Sequence, residues 1–127
     1  MPEALEQLQQ AVQSDGRFHS DAFVFLLTGL EQTSTRHHGP RRGKKSRHVS
    51  GQELSLGLRD AALERWGPLA PLVLERWGVR RTRDFGEMVY LLIGLGILGK
   101  QANDRIEDFD DVYSFDGAFE VPVRFSI

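Results

Sequence analysis

The sequence predicts a mainly α fold: a helical bundle with a central tri-helical, winged-helix-like core and short C-terminal strands. Three observations carry this. Large apolar residues recur every three or four positions through most of the chain up to residue 95. Gly and Pro interrupt that pattern at intervals suited to helices. Strand-like alternation is confined to the C-terminal end, in "VPVRFSI" (121–127), where Pro122 favours an edge.

Each element has its own signal. Leu5, Leu8 and Val12 form one helical stripe, and Asp15-Gly16 ends it. Ser20 is the expected N-cap of a second helix, because its hydroxyl can accept a free backbone N–H. Phe23, Leu26, Leu27 and Leu30 give that helix a buried face, which fades by Glu31. Residues 34–49 contain Gly39, Pro40 and Gly43 and almost no apolar side chain, so a flexible basic loop is expected. Order resumes at Ser50 and Glu53, a capping box ahead of Leu54, Leu58 and Ala61. Gly67 is the expected stop. Pro68 then opens a helix over 68–77 carrying Leu69, Leu72 and Val73, and Gly78 ends it. Thr82 is the expected N-cap of a third core helix over 83–95, with Phe85, Met88, Val89, Leu92 and Leu95 on one face. In the winged-helix reading this is the recognition helix, Ile97 and Leu98 begin a strand, and 97–115 is the wing. The alternative is a plain bundle of five or six helices.

With 127 residues the chain is expected to form one domain (1–127). Residues 1–33 make an N-terminal helical hairpin, 34–49 the basic loop, and 50–127 the core with an acidic, aromatic C-terminal segment. The absence of cysteine excludes disulfides, thiolate metal sites and cysteine nucleophiles, and fits a reducing compartment. The start, "MPEALEQLQQAVQSD", is acidic and amphipathic, unlike a signal peptide. The longest apolar stretch, "MVYLLIGLGILG", is about half the length a membrane span needs. A cytoplasmic protein with no membrane contact is the expectation.

"RHVSGQEL", "LRDAALERWGPLAPLVLERWGVRRTRDFG" and, more loosely, "EDFDDVYSFDGAF" resemble a family of short bacterial proteins described only as hypothetical. The resemblance spans Arg47–Phe119. It implies no activity and transfers no catalytic residue. The basic run before Arg47 falls outside it.

Several chemistries are weighed and set aside. "GLGILGK" (94–100) fits G-x-G-x-x-G, and fits G-x-x-x-x-G-K short of its final hydroxyl residue. Both phosphate loops need a strand before and a helix after. Here a helix precedes, and Gln101 stands where the hydroxyl belongs. "DRIEDFDD" (104–111) has only Asp108 and Asp110 at alternate spacing and no central Gly, so it is no EF-hand loop. His19, His37, His38 and His48 lack zinc-ligand spacing. No Ser sits on a Gly-flanked nucleophile turn. Trp66 and Trp77, each before a helix-ending Gly, are expected to pack at helix ends. No catalytic residue, metal or cofactor is assigned.

Charge remains. The net charge of −2 conceals a split: 36–48 holds six Lys or Arg and no acid, while 104–120 holds seven acids against Arg105 alone. Arg76, Arg80, Arg81 and Arg83 bracket the turn into the third core helix. Together with Arg36, Arg41, Arg42, Lys44, Lys45 and Arg47 they make ten cations suited to phosphate, which Arg grips bidentately. The expectation is a small non-enzymatic protein that contacts DNA or structured RNA phosphates with low sequence specificity. The alternative is a protein–protein interaction module that uses the acidic aromatic segment or the basic loop.

Overall fold

The computed structural model describes residues 2–40 and 47–120. Its elements are α1 (Pro2–Asp15), α2 (Ser20–His38), α3 (Gly51–Trp66), a 3-10 turn (Gly67–Leu69), α4 (Ala70–Arg76), α5 (Thr82–Gly94), a second 3-10 turn (Ile106–Phe109) and α6 (Phe115–Ala118). The mainly helical class and the succession of three core helices agree with the sequence reading. No strand occurs among the described residues. Residues 97–115, expected as a wing, form turns, the second 3-10 turn and the start of α6. The segment "VPVRFSI" lies outside the described residues.

The core is built on α2 and α3. Phe23 and Leu26 of α2 and Leu54 and Leu58 of α3 are buried, joined by Phe85, Met88 and Leu92 of α5. The two long helices approach closely because each offers a small residue to the other. A Cβ at Gly29 would collide with Leu58, and one at Gly57 with Thr33. This explains the largest departure from expectation. The second helix does not end near Glu31; it runs to His38. Its buried face continues through Thr33 and Ser34, which are 2 % and 5 % exposed. The Thr33 hydroxyl is satisfied by donating to the Gly29 carbonyl at 2.7 Å. A stripe that passes from large apolar to small polar residues is invisible to hydrophobic periodicity. Arg36, His37 and His38 therefore belong to a helix, and Gly39 (φ 77°) closes it by donating to the Thr35 carbonyl.

The caps follow the same logic. The Ser50–Glu53 capping box forms as expected, with both reciprocal bonds near 3 Å. Its backbone N–H is the main reason the Glu53 carboxyl is held below its usual pKa. Two other caps differ. His19, not Ser20, caps α2 by accepting from the Asp21 N–H. Arg81, not Thr82, precedes α5, and the Asp84 carboxylate takes the N–H groups of Arg80 and Arg81. Thr82 turns inward instead. Its hydroxyl donates to the Phe109 carbonyl at 2.6 Å and accepts from the Val112 N–H at 3.2 Å.

That pair of bonds anchors the C-terminal segment. Phe109 wedges between α3 and α5, where Gly51 and Gly86 leave no room for a Cβ beside its ring. Tyr113, Phe115 and Phe119 pack on one another and on Phe85, with ring centroids 5.3–6.2 Å apart. Tyr113 also donates to the Ser55 carbonyl at 2.7 Å, and burial raises the pKa of its hydroxyl. Trp66 and Trp77 pack edge to face at 5.4 Å, both against Phe25.

Candidate docking surface

The ten cations singled out in the sequence do not share one role. Arg41, Arg42, Lys44 and Lys45 lie outside the described residues. Arg36 stands exposed on α2, 3.4 Å from an Asp60 oxygen on α3. Arg47 is engaged within the fold. Its side chain is only 8 % exposed, and its guanidinium donates to Glu31 (3.0 Å), Thr35 (2.7 Å) and the Gly39 carbonyl (3.1 Å). It ties the extended segment before α3 to the end of α2 and offers little to a phosphate. Arg83 is also engaged, bonded to Glu87 at 3.0 Å and Asp110 at 2.9 Å. Asp110 first, then Glu87, raises its pKa, while Arg83 and Arg17 lower that of Glu87.

The acidic segment thus meets some of the positive charge inside the fold. Asp110 takes Arg83, and Asp104 lies 3.1 Å from the His48 ring. It also covers the start of α5, through Phe109 against Gly86 and the Thr82 bonds. The helix expected to enter a nucleic-acid groove carries carboxylates against its first turns.

Arg76, Arg80 and Arg81 remain exposed about the turn from α4 to α5. Arg76 and Arg80 line one shallow groove with Leu69, Leu72, Val73 and Glu75. The groove has an apolar floor. Leu69 is 59 % and Leu72 60 % exposed, although both belonged to the expected apolar stripe of their helix. The face of α4 turned inward carries Ala70 and Leu74, both fully buried. A seven-residue helix has room for one buried face, and Leu69, Leu72 and Arg76 are spaced three and four apart on the other. The spacing was visible in the sequence; which face would be buried was not.

"GLGILGK" ends a helix. Gly96 (φ 76°) turns the chain after α5, and the N–H groups of Ile97 and Leu98 both point to the Leu92 carbonyl, at 3.0 and 3.3 Å. Those amides are committed to the turn rather than free for a phosphate. Among the described residues no three His, Asp or Glu side chains gather as a metal site, and no helix is long and apolar enough to cross a membrane.

The described residues form a small α-helical fold with an exposed surface that carries Leu69 and Leu72 beside Arg76 and Arg80. No protein-family model, curated protein or solved structure matches the chain.

Proposed function

We propose that this chain is a non-enzymatic binding protein whose docking face is the outer side of α4, and that its partner is an amphipathic segment of another protein carrying acidic residues beside apolar ones. The observation that carries this is the exposure of Leu69 and Leu72 next to Arg76 and Arg80. Two large apolar side chains left in water at helical spacing fit the anchors of a helix-in-groove contact. The two arginines, with Arg81 beyond them, select acidic flanks and speed encounter. The phrases shared with the resembled family of short bacterial proteins run through α3, α4 and the turn into α5, so this face falls within the resemblance.

Contact with DNA or structured RNA is the second reading. It is favoured by the exposure of Arg76, Arg80 and Arg81 around one turn, together with the Lys/Arg run at 41–45. Phosphate binding has no use for the two leucines, which separates the readings. The test titrates the full chain with a synthetic leucine- and glutamate-bearing helical peptide, with duplex DNA and with hairpin RNA, across a salt series. Peptide binding abolished by joint Leu69→Ser and Leu72→Ser substitution supports the docking reading. Nucleic-acid binding that ignores the leucine substitutions supports the second reading, if log affinity falls with log salt at a slope of roughly −0.9 per phosphate contacted. No binding of any probe at low salt overturns both.

A further inference from the structure

The α4 face calls for a helix that pairs apolar with acidic groups, and the chain carries such a helix itself. α1 holds Glu3, Glu6 and Asp15 and no Lys, Arg or His. Its apolar residues Leu5, Leu8 and Val12 are spaced three and four apart, on one stripe. Yet none of residues 5–15 is buried. Leu8 and Val12 rest half-buried on the core and hold the second half of the helix there. Leu5 is 57 % exposed, and Glu6 and Gln7 after it are exposed as well. A helix of this length is marginal in water and draws its stability from packing an apolar face. Residues 5–7 have no such cover within their own fold.

The other surfaces of the chain match α4 less well. Among the described residues, the large apolar side chains left exposed are Leu5, Val24, Leu56, Leu69 and Leu72. The acids in line with Leu56 on α3 are engaged: Glu53 accepts from the Ser50 N–H, and Asp60 lies beside Arg36 and Arg59. Asp21, in line with Val24, lies 3.6 Å from the His19 ring. The acidic aromatic segment spends Asp110 on Arg83 and packs its rings on one another and on Phe85. A contact of α4 with a second α4 would crowd the arginines of both copies together. On α1, Asp15 pairs with Arg17 at 2.8 Å, but Glu6 stands exposed next to Leu5.

We infer that, when no other partner is bound, the α4 face is covered by the start of α1 from a second copy of this chain, with Leu5 against Leu69 and Leu72 and Glu6 turned to Arg76 or Arg80. The complementarity is of shape class and of charge: an exposed leucine on an acidic helix meets exposed leucines on a basic one. Each copy carries both faces, so a closed two-fold pair makes the contact twice. The inference rests on the α4 docking reading and adds its regulation: self-association masks the face, and a partner must displace the second copy.

The test is sedimentation equilibrium of the full chain over a concentration series up to about 1 mM, at low and high salt. Association is expected, and salt should weaken it because the paired charges are exposed. Leu5→Ser, and Leu69→Ser with Leu72→Ser, should each weaken it by roughly tenfold or more. Both variants should keep helical circular dichroism, since all three leucines are exposed in the free chain. Mixing the two variants isolates the contact. One supplies an intact α4 and the other an intact α1, so the mixture should hold more pairs than either variant alone at the same total concentration. The leucine- and glutamate-bearing peptide should dissociate the wild-type pair. A chain that stays monomeric to about 1 mM yet binds that peptide overturns the inference and leaves the α4 reading standing. Association that survives Leu5→Ser but not the α4 substitutions means α4 on α4, and also overturns it. So does association indifferent to the α4 leucines, a mixture no more associated than its components, or a pair that persists with the peptide bound. A chain that neither self-associates nor binds the peptide overturns both readings.

Discussion

The pentapeptide Leu-Glu-Arg-Trp-Gly occurs twice, at 63–67 and 74–78, and its two copies have different fates. The first ends α3, a sixteen-residue helix; the second ends the seven-residue α4. Leu74 is fully buried, while Leu63 only borders the core. A Cβ on Gly67 would meet open space, but one on Gly78 would strike the Arg17 carbonyl. Arg65 lies over the Trp66 ring at 4.7 Å; Arg76 lines the shallow groove on α4. The tryptophans alone share a fate, meeting each other over Phe25. The second copy is pressed against the turn between α1 and α2, where the His19 N–H also donates to the Trp77 carbonyl at 3.0 Å. Identical residues thus acquire different roles because one copy ends in solvent and the other against a returning chain.

Substitutions made in pairs test this contrast. The largest difference is expected at the leucines. Leu74→Ala should cost about 2–5 kcal/mol by emptying a core site, and Leu63→Ala about 1 kcal/mol, the transfer share of a half-buried leucine. Chemical denaturation of the two variants measures both, and equal costs would erase the contrast.

The glycines come next. Both have positive φ, 55° at Gly67 and 93° at Gly78. Gly67→Ala should therefore cost roughly 1–3 kcal/mol through strain alone. Gly78→Ala adds overlap with backbone, for roughly 2–4 kcal/mol in all. Thermal melts rank them.

The arginines differ in kind rather than size. Arg65→Ala should lose about 0.5–1 kcal/mol of cation–π contact. Arg76→Ala should leave stability within about 0.5 kcal/mol of wild type and weaken the peptide titration instead.

A small, pH-dependent effect concerns the turn that braces the second copy. Arg17 in that turn bonds Asp15 at 2.8 Å and Glu87 at 3.1 Å. The Glu87 pKa is lowered, chiefly by Arg83 and then by Arg17. Its contribution is therefore present above the usual glutamate value and lost as pH falls through the lower folded one. Glu87→Gln should be less stable than wild type at neutral pH by under about 1 kcal/mol. The gap should close below roughly pH 4. Denaturation at pH 7 and pH 3 checks the sign.

The candidate site was less legible than the fold. The capping box at Ser50, the stops at Gly16, Gly67 and Gly78, and the order of α3, α4 and α5 followed from local pattern. The aromatic residues of 109–119 were assigned with the core in 50–127, and they pack on Phe85, Gly51 and Gly86. The cations were found as a set, but their availability was not. Arg47 and Arg83 are spent on partners 16 and 27 residues away.

Local chemistry therefore determined where helices start, stop and carry apolar residues, since those preferences act over a turn or two of chain. Only the return of distant segments decided the rest. Thr33 continues the buried face of α2 because Gly57 makes room for it. Leu69 and Leu72 stay in water because Ala70 and Leu74 face the core. Thr82 holds the acidic segment rather than capping its own helix, because the Phe109 carbonyl reaches it across 27 residues. Burial and pairing depend on which surfaces meet, and a one-dimensional pattern does not contain that information.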